Sequence, residues 1–334
     1  MSQLVLGRKQ LTREDRLKIL EKYKDVPPAD RRQLVGTRHI DFTELKRWDI
    51  PDKIIVSVAA SGVFINKDQN PNQPVTPGEM VRAYEECIDI GAVGVHVHAR
   101  DPETGRGVAD AKVYHQIIDP LKAKYGDNIV VDGGTMAGRT FEEMMTPIVE
   151  GLFEIAIVNP STGILGNWLR HMHPKTTQAQ ARFFQECGVK PQIDVHDGSS
   201  IELAKRFLID PGLIEKPTYW HVLPGLPGTY YIPNEIAMVE AIMWFVRRIR
   251  EIDREAVIMV SDTSRSCIYM PVLATLLGLH IRVGMEDTIW RYPHKDELIE
   301  SNKEIVESCI TIARHLGREP ATADEYRRIV GIKK

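Results

Sequence analysis

The feature that most constrains the fold is an eightfold alternation of apolar runs and helix-like segments, which begins at Lys53 and extends over about 265 residues. The runs have the pattern of buried strands. The predicted strands cover residues 53–59, 93–98, 128–132, 153–158, 191–196, 218–223, 256–260 and 280–285. The predicted helices cover about 76–90, 110–124, 140–150, 175–187, 199–208, 233–250, 266–277 and 295–316. Thr76, Pro77 and Glu79 form a predicted N-cap with a capping box.

Eight consecutive βα units predict a (β/α)8 TIM barrel over residues 51–334. A doubly wound open sheet is the alternative, but no Gly-X-Gly-X-X-Gly motif follows the first strand. Residues 1–50 are highly charged, with helix-like spacing over residues 11–20 that Pro27 and Pro28 interrupt. They are predicted to form a partly helical extension on the barrel or on a neighbouring subunit; a charged tail that binds a partner is the other interpretation.

Composition narrows the class of protein. The chain is 43% hydrophobic and 27% charged with a net charge of −3, which is typical of a globular protein and argues against a nucleic-acid partner. The four cysteines are far apart and form no Cys-X-X-Cys pair, which favours a reducing compartment. No segment has the apolar run of a signal peptide or of a membrane span, so the predicted location is the cytoplasm.

The second predicted strand carries two histidines. His96 and His98 alternate with valines, so their rings lie on the same face near the carboxyl end of the strand. Two buried imidazoles are costly unless they share a proton, a carboxylate or a metal. The spacing therefore indicates a metal site, and a pair of hydrogen-bonded core histidines is the alternative.

The eighth strand supplies a carboxylate to the same end of the barrel. Arg282 and Glu286 have the same parity, and Asp287 follows. Strands two and eight both border strand one, so Glu286 can reach the histidines. Two imidazoles, a carboxylate and an open position are typical of catalytic zinc. The alternative for Glu286 is a salt bridge to Arg282 that closes the barrel.

Other strand ends carry polar groups with weaker signals. Asp132, Asn159 and Asp194 are predicted substrate contacts, and His196 is the rival metal ligand. Ser264 and Arg265 follow strand seven, where barrels often bind phosphate at a helix N-terminus. Ordinary capping by Ser or Thr is the alternative there.

Three motifs, in this order, make the chain resemble the β-keto acid cleavage enzymes: SGVFINKDQNPNQPVTP at residues 61–77, VHVHARD at residues 95–101 and RVGMED at residues 282–287. Ser301-Asn302 and the segment 316–322 also match, and the likeness covers roughly residues 53–332. The resemblance implies a zinc-dependent barrel that condenses a β-keto acid with acetyl-CoA and releases acetoacetate and a new acyl-CoA. It further implies a homo-oligomer, expected to be a tetramer.

The resemblance also assigns roles to residues. His96, His98 and Glu286 would hold the zinc, and Arg282 with Asp287 would deprotonate the keto acid. Two alternatives remain at this stage: a metal-dependent barrel aldolase or lyase that uses no CoA, and a barrel that binds a metabolite without catalysis.

The sequence departs from the family at two places. Phe64 stands where the family has an amine-binding glutamate, and Asp132-Gly133 stands where it has a Ser/Thr-Thr-Gly segment. An aromatic ring offers an ammonium group no counter-charge, and a cation–π contact recovers only about 0.5–2 kcal/mol. The substrate is therefore predicted to be an uncharged, aliphatic β-keto acid.

Overall fold

The computed structural model describes residues 11–27 and 42–332 of the chain. Two compact units are distinguished, residues 1–49 and residues 50–334. In the first unit a helix, Arg13–Leu20, begins at a Thr12–Asp15 capping box, and short 3-10 turns cover Glu21–Tyr23 and Phe42–Glu44. The other parts of the predicted extension, residues 1–10 and 28–41, lie outside the described residues, and so does the predicted break at Pro28.

Eight parallel strands close the second unit into a barrel, which confirms the predicted fold. The strands are β1 Val56–Val58, β2 Gly94–Val97, β3 Val130–Gly133, β4 Ile155–Val158, β5 Lys190–Val195, β6 Tyr219–Val222, β7 Val257–Ser261 and β8 His280–Val283. They follow one another around the barrel in chain order, and β8 pairs with β1 through Arg282 and Ser57. The carboxyl ends of all eight strands therefore meet at one mouth.

Helices surround the barrel: α1 Pro77–Ile88, α2 Ala111–Tyr125, α3 Phe141–Val149, α4 Pro174–Glu186, α5 Gly198–Ala204, α6 Glu235–Ile252, α7 Tyr269–Leu276, α8 Asn302–His315 and α9 Ala323–Val330. A π turn, Lys205–Ile209, extends α5, and 3-10 turns cover Gly126–Asn128 and Ser264–Ser266. The capping box predicted at Thr76 opens α1. Along the part of the chain that the structure describes, no helix is both long and apolar enough to cross a bilayer.

The sequence did not predict three elements. The loop after β4 contains an antiparallel hairpin of Gly163–Leu165 and Trp168–Arg170, which carries side chains into the barrel mouth. The C-terminal helix α9 packs against an apolar cluster at the amino ends of the strands, where Tyr219 and Tyr326 share a hydrogen bond of 2.9 Å. A further two-residue strand pair joins Lys53–Ile54 to Glu319–Pro320. These contacts close the end of the barrel opposite the mouth.

Candidate active site

Three side chains that could hold a metal ion converge at the barrel mouth. The Nε2 atoms of His96 and His98 are 3.1 Å apart, and Oε1 of Glu286 lies 3.5 Å from the first and 3.4 Å from the second. Each of the three residues offers a ligand atom, and all three atoms lie within 4.8 Å of one another. The structure thus brings together the three residues that the sequence predicted as ligands.

The backbone after β8, and not an extended strand, positions Glu286. The predicted strand runs to Met285, but β8 ends at Val283 because Gly284 adopts φ +146°, a conformation that favours glycine. The turn is held by an Asn302 side chain that accepts from the Met285 amide at 2.8 Å, and by a 3.2 Å hydrogen bond from the Glu286 amide to Ala59 O.

Asp132 lies behind His96 and does not line the cavity. In the barrel register Asp132 of β3 stands beside His96 of β2, and its carboxylate bonds the His96 Nδ1 atom. Because an ionised carboxylate only accepts, Nδ1 carries a proton, and Nε2 is the atom that would bind a metal in exchange for its own proton. The predicted substrate contact of Asp132 is thus replaced by a hydrogen bond that orients a ligand.

The electrostatics of the cluster suit a cation. Burial disfavours the charged form of His96, but the carboxylates of Glu286 and Asp132 outweigh it and raise its pKa to about 9. Burial also disfavours the Glu286 anion, yet His96 and Arg282 hold its pKa well below the usual range. The Oε2 atom of Glu286 is buried and has no hydrogen-bond partner among the described residues. Two imidazole nitrogens and a carboxylate with a spare oxygen fit zinc.

Arg282 joins the carboxylate cluster to a second acid. Its Nη2 atom lies 2.6 Å from Oδ2 of Asp287 and 3.3 Å from Oε1 of Glu286. Burial and the Glu286 charge raise the pKa of Asp287 above its ordinary value, although Arg282 opposes the shift. A buried carboxylate with a raised pKa, hydrogen-bonded to a fixed guanidinium, has the properties of a general base.

A buried chain of hydrogen bonds holds Arg282 from behind. Arg282 Nε donates to Ser261 Oγ at 2.9 Å, Ser261 contacts His221 Nε2 at 2.7 Å, and His221 Nδ1 contacts Asp194 Oδ1 at 2.6 Å. Because arginine only donates and an ionised carboxylate only accepts, every hydrogen bond in the chain points from Arg282 toward Asp194. The strand register explains this series of hydrogen bonds, because Arg282 pairs with Ser261 and His221 pairs with Asp194 on neighbouring strands.

Sequence reasoning missed His221 and Ser261. A lone histidine in an apolar strand is usually a core residue, so His221 gave no signal by itself. Only the pairing of β5 with β6 and of β7 with β8 shows that four polar residues are neighbours.

A cavity of about 570 Å³ lies in front of these groups. Phe64, 45% exposed, packs against Trp168 with ring centroids 5.8 Å apart at this cavity. Both rings also line a second cavity of about 740 Å³, which shares Glu286 and Asp287 with the first. The two cavities therefore adjoin each other at these two carboxylates.

The predicted anion site at Ser264 and Arg265 lines the second cavity. Arg265 stacks over Trp290 at 3.6 Å from the ring centroid, and its Nη2 atom lies 2.5 Å from Asp296. The capping alternative does not hold for α7, because its N-cap is Ile268, which has no side-chain oxygen. An anion at this site would compete with Asp296 for the guanidinium.

The far side of the first cavity is built around Arg170, which the sequence did not single out. Its Nη1 atom donates to Asn159 Oδ1 and to His196 Nε2, both at 2.7 Å. Burial and the neighbouring cation lower the pKa of His196 to about 3, so its ring is neutral. The Nε2 atom of His196 therefore accepts a hydrogen bond from Arg170. His196, the alternative metal ligand predicted from the sequence, lies outside the group of His96, His98 and Glu286.

Fold and site together define a (β/α)8-barrel enzyme whose metal-ligand cluster and carboxylate–guanidinium pair share one mouth. The chain belongs to the beta-keto acid cleavage enzyme family, whose sequence model matches residues 53–332. It is accordingly an enzyme of carbon–carbon bond cleavage and acyl transfer, and the sequence-based family assignment is confirmed.

Similar proteins carry more specific names. The chain is 30% identical over 285 residues to a 3-keto-5-aminohexanoate cleavage enzyme of Fusobacterium nucleatum, a match that covers 85% of this chain and 99% of that protein. It is 26% identical over 306 residues to the 3-dehydrocarnitine:acetyl-CoA trimethylamine transferase of Rhizobium meliloti, covering 84% and 97%. The structure of apo ObcA superposes with a TM-score of 0.66 at 18% identity, covering 78% of this chain and 66% of that chain, which shows a shared fold.

Proposed function

We propose that this protein is a zinc-dependent β-keto acid cleavage enzyme that uses acetyl-CoA as co-substrate. The reaction converts a β-keto acid and acetyl-CoA into acetoacetate and a new acyl-CoA. Family membership and the acetyl-CoA-dependent relative from Rhizobium meliloti support the reaction class. The proposal includes a cytoplasmic homo-oligomer, and light scattering would test the expected tetramer.

One observation carries the proposal: a proton-accepting carboxylate, Asp287, adjoins a zinc-type ligand set of His96, His98 and Glu286. A zinc ion held there would supply Lewis acidity toward the keto and carboxylate oxygens of the substrate. A module that only binds a metal needs no buried carboxylate–guanidinium pair beside the ligands, so the arrangement favours catalysis.

In this reaction Asp287 takes a proton from C2 of the keto acid, and Arg282 holds the carboxylate in place. The carbanion attacks the thioester carbonyl of acetyl-CoA, a C–C bond forms and the CoA thiolate leaves. The thiolate then attacks the original ketone, the C2–C3 bond of the keto acid breaks, and C2 leaves as the acetoacetate carbanion. Asp287 returns its proton to that carbon. The products are acetoacetate and an acyl-CoA.

The two adjoining cavities suit two substrates. The inner cavity contains the metal-ligand cluster, and the outer one opens toward Ser264 and Arg265. We assign the outer cavity to acetyl-CoA, with Arg265 available for a phosphate of CoA once Asp296 is displaced. Both cavities border Asp287, which supports binding of the keto acid and the thioester within reach of one another.

Phe64 is proposed to contact the distal end of the keto acid. Its ring packs against Trp168 and offers an ammonium group no counter-charge. The carboxylates of Glu286 and Asp287 line the same cavities as Phe64, but they are already paired with the histidines and with Arg282. The substrate is therefore proposed to lack a cationic distal group. Phe64→Glu is expected to shift the ratio of kcat/KM values toward 5-amino-3-keto acids while zinc stays bound. A wild-type enzyme that prefers the amine would refute this assignment.

The test of the proposed function combines zinc content with turnover. His96→Ala should lose zinc and activity together. Asp287→Asn should keep zinc but lose about 10²–10⁴-fold in kcat, the usual contribution of a general base. Asp253→Asn is a matched control, because Asp253 is a buried carboxylate bonded to Thr218 near the amino end of β6, and its kcat should stay near wild type.

Three results would contradict the proposal. Zinc retained at one equivalent in His96→Ala/His98→Ala would exclude this metal site. Near wild-type turnover in Asp287→Asn would assign proton transfer to another group. Cleavage of the keto acid without acetyl-CoA would favour an aldolase-type lyase.

A further inference from the structure

Arg170 is a buried cation without an acidic partner. The residue is 4% exposed and lines the inner cavity. Its hydrogen bonds go to three groups, Asn159, His196 and Ser161, and none of these is an anion. Its Nε atom is buried and has no hydrogen-bond partner in the part of the chain that the structure describes.

The two acids whose charges act on Arg170, Asp194 and Asp197, are hydrogen-bonded to other groups. Asp194 accepts from His221 at 2.6 Å, and Asp197 caps α5 through the Ser200 amide at 2.9 Å. Within residues 11–27 and 42–332, no carboxylate forms an ion pair with Arg170 at 4.0 Å or less. A buried charge without a partner is strongly destabilising, so an arginine in this state indicates an anion that arrives from solution.

The position of Arg170 indicates which anion. The metal-ligand cluster comes from β2 and from the turn after β8, which flank β1. Arg170 is held by Asn159 and His196, which follow β4 and β5 on the other side of the closed ring. Apolar side chains also line this cavity, namely Met136, Ile157, Leu165 and Leu223. The inner cavity therefore suits a ligand that has an acid group at each end and an apolar middle.

We propose that Arg170 binds the distal carboxylate of the keto acid, which makes the substrate a β-keto dicarboxylic acid. The inference rests on the proposed function and names its substrate class. The free Nε–H and the guanidinium fork provide charge-assisted hydrogen bonds to a carboxylate. Phe64 is consistent with this substrate, because an anionic chain needs no glutamate at that position. The uncharged chain predicted from Phe64 alone is then the competing outcome.

Two six-carbon substrates test the inference directly. The enzyme is assayed for acetoacetate with acetyl-CoA and either 3-oxohexanedioate or 3-oxohexanoate, which differ only at C6. The wild type should show a kcat/KM at least about tenfold higher for the diacid. Arg170→Gln should lower kcat/KM for the diacid by about 10²-fold and change that for the neutral acid by less than about threefold, since breaking a buried charge pair is costly.

Arg254→Gln is the matched control. Arg254 is exposed and precedes β7 at the end of the barrel opposite the mouth, so its loss removes the same charge from a solvated position away from the cavity. The ratio of the two kcat/KM values should stay within about threefold of wild type, because an exposed charge contributes little.

Other outcomes refute the inference in distinguishable ways. A wild-type enzyme that prefers 3-oxohexanoate excludes a distal carboxylate site. An Arg170→Gln variant that slows both substrates equally assigns Arg170 to the C1 carboxylate, and one that raises only the KM for acetyl-CoA assigns it to a CoA phosphate. Turnover of the neutral acid alone leaves the proposed function intact, whereas no acetoacetate from either acid defeats both.

Discussion

Adding one methyl group at Gly62 should disable the proposed metal site without substituting any of its ligands. A Cβ at Gly62 would lie 3.1 Å from Cδ and 3.4 Å from Cβ of Glu286, and closer still to its Cγ. Carbon atoms pack at about 3.5–4.0 Å, so the carboxylate must move by about 0.4 Å or more. Metal–ligand distances tolerate only about 0.2 Å, so Gly62→Ala is expected to weaken zinc binding by at least about 10–100-fold, or about 1.4–2.7 kcal/mol.

The measurement is a zinc competition titration against a chelator, with thermal unfolding as the check on folding. Gly62 does not have a positive φ, so alanine adds no backbone strain there. Gly78→Ala is the matched control, because its Cβ would meet only Arg82 Nη1 at 3.9 Å. A Gly62→Ala protein with wild-type zinc affinity would show that Glu286 is not a ligand in this geometry.

Three further substitutions test two groups behind the site and one buried histidine at the amino end of β8. Asp132→Asn should weaken zinc binding by about 10–100-fold, measured by the same titration, because His96 loses its charged partner. Ser261→Ala should lower kcat by about 10–100-fold with full zinc content, since Arg282 loses a hydrogen bond of 2.9 Å. Burial and Arg318 lower the pKa of His280 to about 3 in the native protein. Below about pH 6.5 this histidine therefore binds a proton in the unfolded chain but stays neutral in the native protein. Urea unfolding should therefore show stability falling from pH 6.5 toward pH 3 by up to about 1.4 kcal/mol per pH unit, and His280→Asn should reduce that slope.

Local pattern was enough to predict the barrel and the convergence of the three candidate metal ligands. The alternation of His96 and His98 with valines places both rings on one face, and closure of the ring brings Glu286 to them. The same sequence pattern misplaced the end of the eighth strand, because the conformation of Gly284 depends on contacts with Ala59 and Asn302, which are far away in the chain.

The remaining groups could not be predicted because their partners are set by register and by loop conformation. His221 and Ser261 matter only through neighbours on adjacent strands. Arg170 lies in a hairpin of the loop after β4, where no periodicity marks its direction. Asp132 was expected in the cavity, but its pairing with His96 in the β2–β3 register gives it another partner.

In the proposed reaction, two carbons of acetoacetate come from acetyl-CoA and two from the keto acid. The most direct measurement is mass spectrometry of the products formed with acetyl-CoA that carries ¹³C at both acetyl carbons. The proposed reaction predicts acetoacetate with both labelled carbons, at C3 and C4, and an acyl-CoA without label. Unlabelled acetoacetate, or label in the new acyl-CoA, would contradict it.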